Sequence, residues 1–186
     1  MKFDLANFAD NYLPEDPHQI SAREKGEELG ALDATPGSGA FLKYIASLIS
    51  AQSVVEIGTG SGVGTLWLLK GVINSGVITT IDPEVQHIQV ARQVLNEADI
   101  APNRYRLITS DYLDVMRKLA DRAYDLVVFR GAPEDILDVI DEAHRILLGY
   151  CLRFGSRKSK CAHRSISSCE PSGEMKLRVH PTQQYG

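Results

Sequence analysis

Short apolar, β-branched runs alternate along the chain with longer segments in which apolar residues recur at helical spacing. Four of these runs are predicted to be strands: 53–57, 77–81, 104–109 and 124–129. Because strands and helices alternate along the chain, the pattern is typical of a right-handed parallel sheet with helices on both faces. The sequence therefore predicts an α/β fold with a doubly wound, mostly parallel sheet.

The same periodicity predicts the helices. They cover 3–13, 17–29, 40–49, 63–72, 84–98 and 133–148. Residues 33–39 have the composition of a loop. Apolar side chains cover most of the helix over 63–72, so Trp67 is predicted to lie in the core, whereas His87 is predicted to face solvent.

A glycine-rich loop connects the first strand to its helix. Glu56 lies at the end of the strand, and Gly58, Gly60 and Gly62 follow at alternate positions. This spacing does not match the G-x-G-x-x-G dinucleotide loop, and no lysine is placed as in a phosphate-binding P-loop. Glycine allows positive φ and close approach of a ligand to the backbone, beside the positive end of a helix. The loop indicates a small-ligand site, and the alternative is a glycine turn in an unrelated α/β protein.

Two further acids follow strand ends. Asp82 lies 20 residues beyond Gly62, and Asp111 follows the third strand. The carboxyl ends of parallel strands share one edge, so we expect Glu56, Asp82 and Asp111 to converge on one crevice. At such a position Asp82 can bind ribose hydroxyls, but an Asp before Pro is also an ordinary helix N-cap. For Asp111 the alternatives are an adenine contact and an N-cap.

Composition limits the class of protein. The 186 residues are 44% apolar, which suits one domain with a sizeable core. No apolar run reaches the length of a membrane span and the amino terminus lacks a secretion signal, so we expect a cytoplasmic protein with no membrane partner. The net charge of −4 argues against nucleic acid as a partner.

The charge is divided unevenly. Residues 1–148 carry −9, whereas residues 149–186 carry +5 and hold all three cysteines, at spacings that match no zinc ligand set. We therefore predict a domain at 1–148 and an atypical basic tail at 149–186. The tail is expected to be largely disordered beyond Gly155, with 150–154 as the candidate for a substitute fifth strand.

Five segments together carry a family resemblance: 34–42, 55–64, 80–84, 110–111 and 124–129. With them, residues 30–148 resemble class I O-methyltransferases that use S-adenosylmethionine (SAM), in particular bacterial relatives of the catechol and caffeoyl-CoA enzymes. The resemblance implies a Rossmann-like sheet of seven strands, a homodimer, and methyl transfer to a hydroxyl oxygen of a small molecule.

The resemblance also implies a set of SAM contacts. The glycine loop would hold the methionine end, Asp82 and Pro83 the ribose and adenine, and Asp111 the adenine edge. The residues expected to bind the cofactor are Ala34, Thr35, Glu56, Gly58, Thr59, Gly60, Gly62, Gly64, Asp82, Pro83 and Asp111.

One departure concerns catalysis. Metal-dependent relatives end the fourth strand in Asp-Ala-Asp, but here Arg130, Gly131 and Ala132 follow it. A guanidinium cannot ligate a hard cation, so we expect no divalent metal. We predict instead that Arg130 attracts an anionic substrate. The sequence offers no general base at a credible position, so the catalytic residues are unknown, and a SAM-binding pseudoenzyme is the alternative. A nucleotide-binding oxidoreductase is disfavoured by the glycine spacing.

The second departure is the carboxyl-terminal part. Family members continue with an Arg-Pro-Gly-Gly turn and further strands, whereas here Leu148 is followed by Gly-Tyr-Cys-Leu-Arg-Phe-Gly. The C-terminal strands are therefore expected to be incomplete. We interpret the tail as the product of a frameshift or truncation, and the alternative is a divergent basic tail.

Overall fold

The structure is a computed structural model that describes residues 4–130, 135–153 and 177–178. Its helices are α1 (Leu5–Tyr12), α2 (Pro17–Leu29), α3 (Pro36–Leu48), α4 (Val63–Leu69), α5 (Val85–Glu97), α6 (Tyr112–Met116) and α7 (Ile136–Ile146). Its strands are β1 (Ser53–Ile57), β2 (Val77–Asp82), β3 (Tyr105–Thr109), β4 (Tyr124–Phe129), β5 (Leu147–Arg153) and β6 (Leu177–Arg178).

The described strands form one sheet of order β3-β2-β1-β4-β5-β6. The first five strands are parallel, and β6 pairs antiparallel with β5. The chain builds outward from β1 to β3 on one side and then continues with β4 on the other side of β1. This reversal is a topological switch point, where open α/β sheets bind their ligands. The predicted doubly wound parallel fold is confirmed.

Side-chain alternation separates two cores. Val54, Ile78 and Val128 pack with α3, α4 and α5 on one face of the sheet. Val55 and Phe129 pack with α6 and α7 on the other face. Because side chains in a strand point to opposite faces in turn, residues two positions apart share a face. An even number of positions separates Val54 from Glu56, Ile78 from Asp82 and Val128 from Arg130. The three polar residues therefore belong to the face of the first core, which also carries the glycine loop.

The predicted elements are largely confirmed. β2 reaches Asp82, and β3 begins at Tyr105 rather than Arg104. Trp67 is 1% exposed, as predicted for a core residue. The predicted loop over 33–39 is wrong at its end, because α3 begins at Pro36. There Thr35 acts as N-cap and accepts a hydrogen bond from the Ser38 amide, with proline at the first helical position.

The predicted helix over 133–148 is too long at its carboxyl end. α7 ends at Ile146, and Leu147 turns to an extended conformation and enters β5. The predicted first residues of this helix, 133–134, lie outside the described residues. β5 pairs in parallel with β4 and covers its outer edge.

The predicted substitute strand therefore exists in part. It starts three residues before the predicted Tyr150, and Phe154 lies outside the described residues. Of the tail beyond Gly155, the structure describes only Leu177–Arg178, which form β6. The rest lies outside the described residues, so the boundary at 148 and the disorder of the tail stay predictions.

Within the described ranges, no helix has both the length and the apolar character needed to cross a bilayer.

Candidate functional site

Asp82 is the acid that most directly supports the glycine loop. Asp82 is 4% exposed, and its Oδ2 accepts a hydrogen bond from the Gly60 amide at 3.0 Å. Its Oδ1 accepts from the Glu84 amide at 3.0 Å and lies 3.1 Å from His87 Nδ1. Since α5 begins only at Val85, Asp82 is not its N-cap, and that alternative is not adopted.

The prediction that His87 faces solvent is wrong. Its side chain is 21% exposed and pairs with Asp82. The cause is its place in the first turn of α5, where side chains lean toward the helix amino terminus and therefore toward the end of β2. His87 thus helps to fix the orientation of the Asp82 carboxylate.

The glycine loop is joined to β2 by hydrogen bonds. The Gly58 amide donates to the Ile81 carbonyl at 2.8 Å, and the Thr59 and Thr80 hydroxyls lie 2.7 Å apart. Gly58 has φ +92° and Gly62 has φ +93°, a backbone conformation that residues other than glycine rarely adopt. Thr59 is fully buried, so its hydroxyl holds the loop in place.

Glu56 lies beneath this loop and is fully buried. Its Oε2 accepts a hydrogen bond from the Thr65 hydroxyl at 2.5 Å, and its Oε1 lies 3.3 Å from Arg130 Nη1. Burial raises the pKa of Glu56 above its ordinary value, while Arg130 and the Thr65 hydrogen bond act in the opposite direction. Glu56 is therefore a desolvated carboxylate with one cationic neighbour.

The Arg130 guanidinium bridges two carboxylates across the switch point. Its side chain is 4% exposed, and its Nη2 lies 3.3 Å from Asp33 Oδ1, in addition to the Glu56 contact. Asp33 in turn accepts hydrogen bonds from the Ser61 amide at 3.1 Å and the Ser61 hydroxyl at 2.6 Å. Among the described residues, buried Arg130 Nε has no hydrogen-bond partner.

Asp33 was not among the predicted site residues. It directly precedes the segment 34–42 that carries the resemblance, and a single carboxylate in a polar loop gives no periodic or motif signal. Only the folded chain brings it beside Ser61 and Arg130.

Three glycines of the segment 58–64 lie close to other parts of the chain, in the direction in which a side chain would project. A Cβ atom on Gly64 would overlap with Arg130 Nη1 and lie 2.5 Å from Glu56 Oε1. A Cβ atom on Gly60 would lie 2.5 Å from Asp33 Oδ1, and one on Gly58 would lie 2.6 Å from the Arg130 carbonyl oxygen. These glycines are therefore required by close contacts within the chain, and the approach of a ligand to this backbone stays a prediction.

A residue of α2 holds the loop that precedes α3. Arg23 Nη2 donates to the Ala34 carbonyl at 2.6 Å and pairs with Glu15 at 2.6 Å. Thr35 uses its hydroxyl to cap α3. Of these two predicted cofactor contacts, Ala34 is held by Arg23, which is not among the predicted site residues, and Thr35 is held by its own capping hydrogen bond.

The rim beyond Asp82 is more open. Pro83 and Asp111 are both exposed. The Asp111 carboxylate caps α6 through the Leu113 amide at 2.9 Å and the Asp114 amide at 3.3 Å, so the N-cap alternative is adopted. The adenine contact stays a prediction.

Tyr112 lies beside this rim. Burial, reinforced by Asp82, Asp111 and Glu84, raises the pKa of Tyr112 to about 12. The phenol is therefore neutral at physiological pH. A neutral hydroxyl between acids can donate a hydrogen bond but does not serve as a base.

Metal ligands do not gather in the part of the chain that the structure describes. No group of three or more His, Cys, Asp or Glu side chains is placed there to hold a metal ion. The expected absence of a divalent metal stays a prediction.

Comparison with known proteins identifies the family. Residues 55–148 match the family model described as "Methyltransferase domain". A curated protein named "Putative O-methyltransferase" from Mycolicibacterium vanbaalenii is 42% identical over 143 residues, which are 77% of this chain and 63% of that protein. The chain therefore spans less than two thirds of the length of this relative.

Solved structures share the fold. A protein from Corynebacterium glutamicum is 28% identical with a TM-score of 0.74, over 80% of this chain and 71% of that one. The cofactor-bound protein Rv0187 from MTB is 27% identical with a TM-score of 0.72, over 80% of this chain and 69% of that one. With the parallel sheet, the glycine loop and the acids at its carboxyl edge, these matches show that the chain belongs to the class I methyltransferase family, among relatives named as O-methyltransferases.

Proposed function

We propose that this chain binds SAM at the carboxyl edge of its sheet and transfers the methyl group to a hydroxyl oxygen of a small molecule. Family membership and the names of the curated relatives support the reaction class. The observation that carries the proposal is the position of the Asp82 carboxylate. This carboxylate is buried at the end of β2 and holds the Gly60 amide beside the switch point.

The ribose half of the site fits a nucleoside. Carboxylate oxygens have spare lone pairs, and Asp82 Oδ2 accepts a single protein hydrogen bond in the described structure. Pro83 and Asp111 lie exposed beyond it, next to the Tyr112 phenol. We propose that Asp82 binds the ribose hydroxyls, and that Pro83 and Asp111 flank the adenine.

The amino-acid half fits a cation. Glu56 and Asp33 are buried carboxylates, and a guanidinium now lies between them. The residues that we propose to bind SAM remain Ala34, Thr35, Glu56, Gly58, Thr59, Gly60, Gly62, Gly64, Asp82, Pro83 and Asp111. Arg130 is the proposed substrate-binding residue, and this role requires its guanidinium to leave the two acids.

When bound, SAM would supply an electrophilic methyl group on a sulfonium, and transfer of this group to an acceptor oxygen would leave the sulfur as a thioether. The protein has to align that oxygen and accept its proton. We expect the glycine loop, which Thr59 and Asp82 hold to β2, to align the cofactor. The acceptor is proposed to be a small hydroxylated molecule, and an anionic one if Arg130 has the predicted role. We also propose a cytoplasmic homodimer that works without a divalent metal.

Methyl transfer from isotopically labelled SAM to a panel of catechols and other hydroxy compounds, with and without Mg²⁺, tests this proposal. Labelled product is expected for at least one acceptor, with equal yield in EDTA. The Asp82→Asn variant should lose most of this activity, whereas Asp141→Asn, at an exposed position of α7, should keep it. SAM binding without transfer to any acceptor would favour the pseudoenzyme, and a chain that does not bind SAM would contradict the proposal.

A further inference from the structure

Arg130 lies where the proposed amino-acid end of the cofactor would lie. Its guanidinium contacts Glu56 and Asp33 and rests against the backbone of Gly64, so that a Cβ atom there would overlap with it. The positive end of a helix dipole disfavours a cation, and Arg130 lies beside the amino terminus of α4. The two carboxylates therefore account for its position.

The contacts of this guanidinium are incomplete. Each carboxylate is contacted through one nitrogen at 3.3 Å, rather than by the shorter, paired contacts of a bidentate arginine. Arg130 Nε is buried without a partner in the described part of the chain. A buried donor with no acceptor destabilises this arrangement relative to one in which the donor is satisfied.

We infer that Arg130 is a displaceable internal cation: it neutralises Glu56 and Asp33 in the cofactor-free chain and leaves them when SAM binds. This inference rests on the proposed function. SAM carries a sulfonium and an ammonium against one carboxylate, so its net charge is +1, whereas S-adenosylhomocysteine (SAH) lacks the sulfonium charge and is neutral overall. Both ligands carry an ammonium at the amino-acid end, and this cation can replace Arg130 in neutralising the two acids.

Displacement has a consequence for the order of binding. The guanidinium is held by two acids until the cofactor arrives, and afterwards it is free to pair with an anion. The predicted attraction of an anionic substrate by Arg130 then becomes available only in the cofactor-bound chain. Cofactor therefore binds before acceptor.

Calorimetric titration of the full chain with SAM and with SAH tests the inference. Arg130→Gln should tighten the binding of SAM and of SAH by about tenfold each, since the ammonium that both ligands carry no longer competes with a cation for the same acids. Arg92→Gln is the matched control, because it removes one positive charge from an exposed position on α5 and should change neither affinity.

The outcomes separate this inference from the proposed function. If the wild-type chain binds SAM but Arg130→Gln binds it equally or more weakly, Arg130 is not a competing cation and only this inference fails. If neither chain binds SAM, both fail.

A second variant and a labelling experiment guard against poor folding of Arg130→Gln. Arg130→Lys keeps the charge but lacks the planar fork, so it should bind SAM more tightly than the wild type and less tightly than Arg130→Gln. In the wild type, Arg130 should resist phenylglyoxal and become modified when SAM is added. Unchanged modification on addition of SAM would overturn the inference.

Discussion

Gly64 and the Arg130 guanidinium lie so close that no side chain fits between them: a Cβ atom on residue 64 would overlap with Arg130 Nη1. The fourth glycine of the loop is therefore explained by an arginine that lies 66 positions further along the chain. The two meet because β4 lies next to β1 and Arg130 follows β4 directly.

This relationship predicts the effect of Gly64→Ala. Alanine favours a helix over glycine by about 1 kcal/mol, so at an unconstrained helical position the change would stabilise the chain. Here the added methyl group must push the guanidinium away from Glu56, and we expect net destabilisation of about 1–3 kcal/mol. Urea unfolding measures it. In an Arg130→Gln background the loss should shrink or reverse, and an undiminished loss in that background would contradict the account.

Removal of Arg130 should give stability a distinct pH dependence. Burial raises the folded-state pKa of Glu56 above its ordinary 4.5, and Arg130 opposes this rise. A carboxyl whose pKa is raised in the folded state does not lower the free energy of unfolding at pH values below its pKa in the unfolded state. The free energy of unfolding falls as pH rises through the pKa of the folded state. Without Arg130 this pKa moves further up, so this fall in the free energy of unfolding is larger at neutral pH.

The free energy of unfolding of Arg130→Gln should therefore be closest to the wild-type value near pH 4 and fall progressively behind it toward pH 8. Urea titrations at several pH values measure this difference. A gap of constant size across the range would show that Arg130 does not stabilise the ionised form of Glu56.

The contact between Gly39 and Trp67 predicts a packing effect away from the charges. A Cβ atom on Gly39 would overlap with the indole ring of Trp67, where α3 crosses α4. Gly39→Ala should destabilise the chain by about 1–3 kcal/mol, as overpacking does in a dense core. A double-mutant cycle with Trp67→Leu should show strong positive coupling, and additive effects would exclude the overlap as the cause.

Arg23 is predicted to act on the cofactor without contacting it. It holds the Ala34 carbonyl and pairs with Glu15, so Arg23→Leu leaves that carbonyl without its donor. We expect SAM and SAH binding to weaken together by about 3–10-fold, which corresponds to roughly 1 kcal/mol. Lys25→Leu is the control, since Lys25 also lies on α2 but pairs with Glu97 of α5 and not with the loop before α3. Unchanged affinity in Arg23→Leu would remove Ala34 from the site.

The pattern of apolar residues was sufficient for the central sheet, because buried parallel strands and their helices differ in length and periodicity. It failed where local capping decides, as at Pro36, and where one element passes directly into the next, as at Leu147. The candidate site also contains residues that a sequence pattern predicts and residues that only the fold brings together. Asp82 was predicted from its distance to the glycine loop, whereas Asp33 carries no pattern of its own, and pairing of Arg130 with Glu56 depends on strand order.

We propose that the carboxyl edge beside Asp82 binds an adenosyl cofactor. Calorimetric titration of the full chain with SAM, SAH and NAD tests it most directly, with the Asp82→Asn variant titrated in parallel. We expect one site for SAM and for SAH, no binding of NAD, and at least about tenfold weaker binding of SAM and SAH to Asp82→Asn. Absence of SAM binding, or equal affinity in Asp82→Asn, would contradict it.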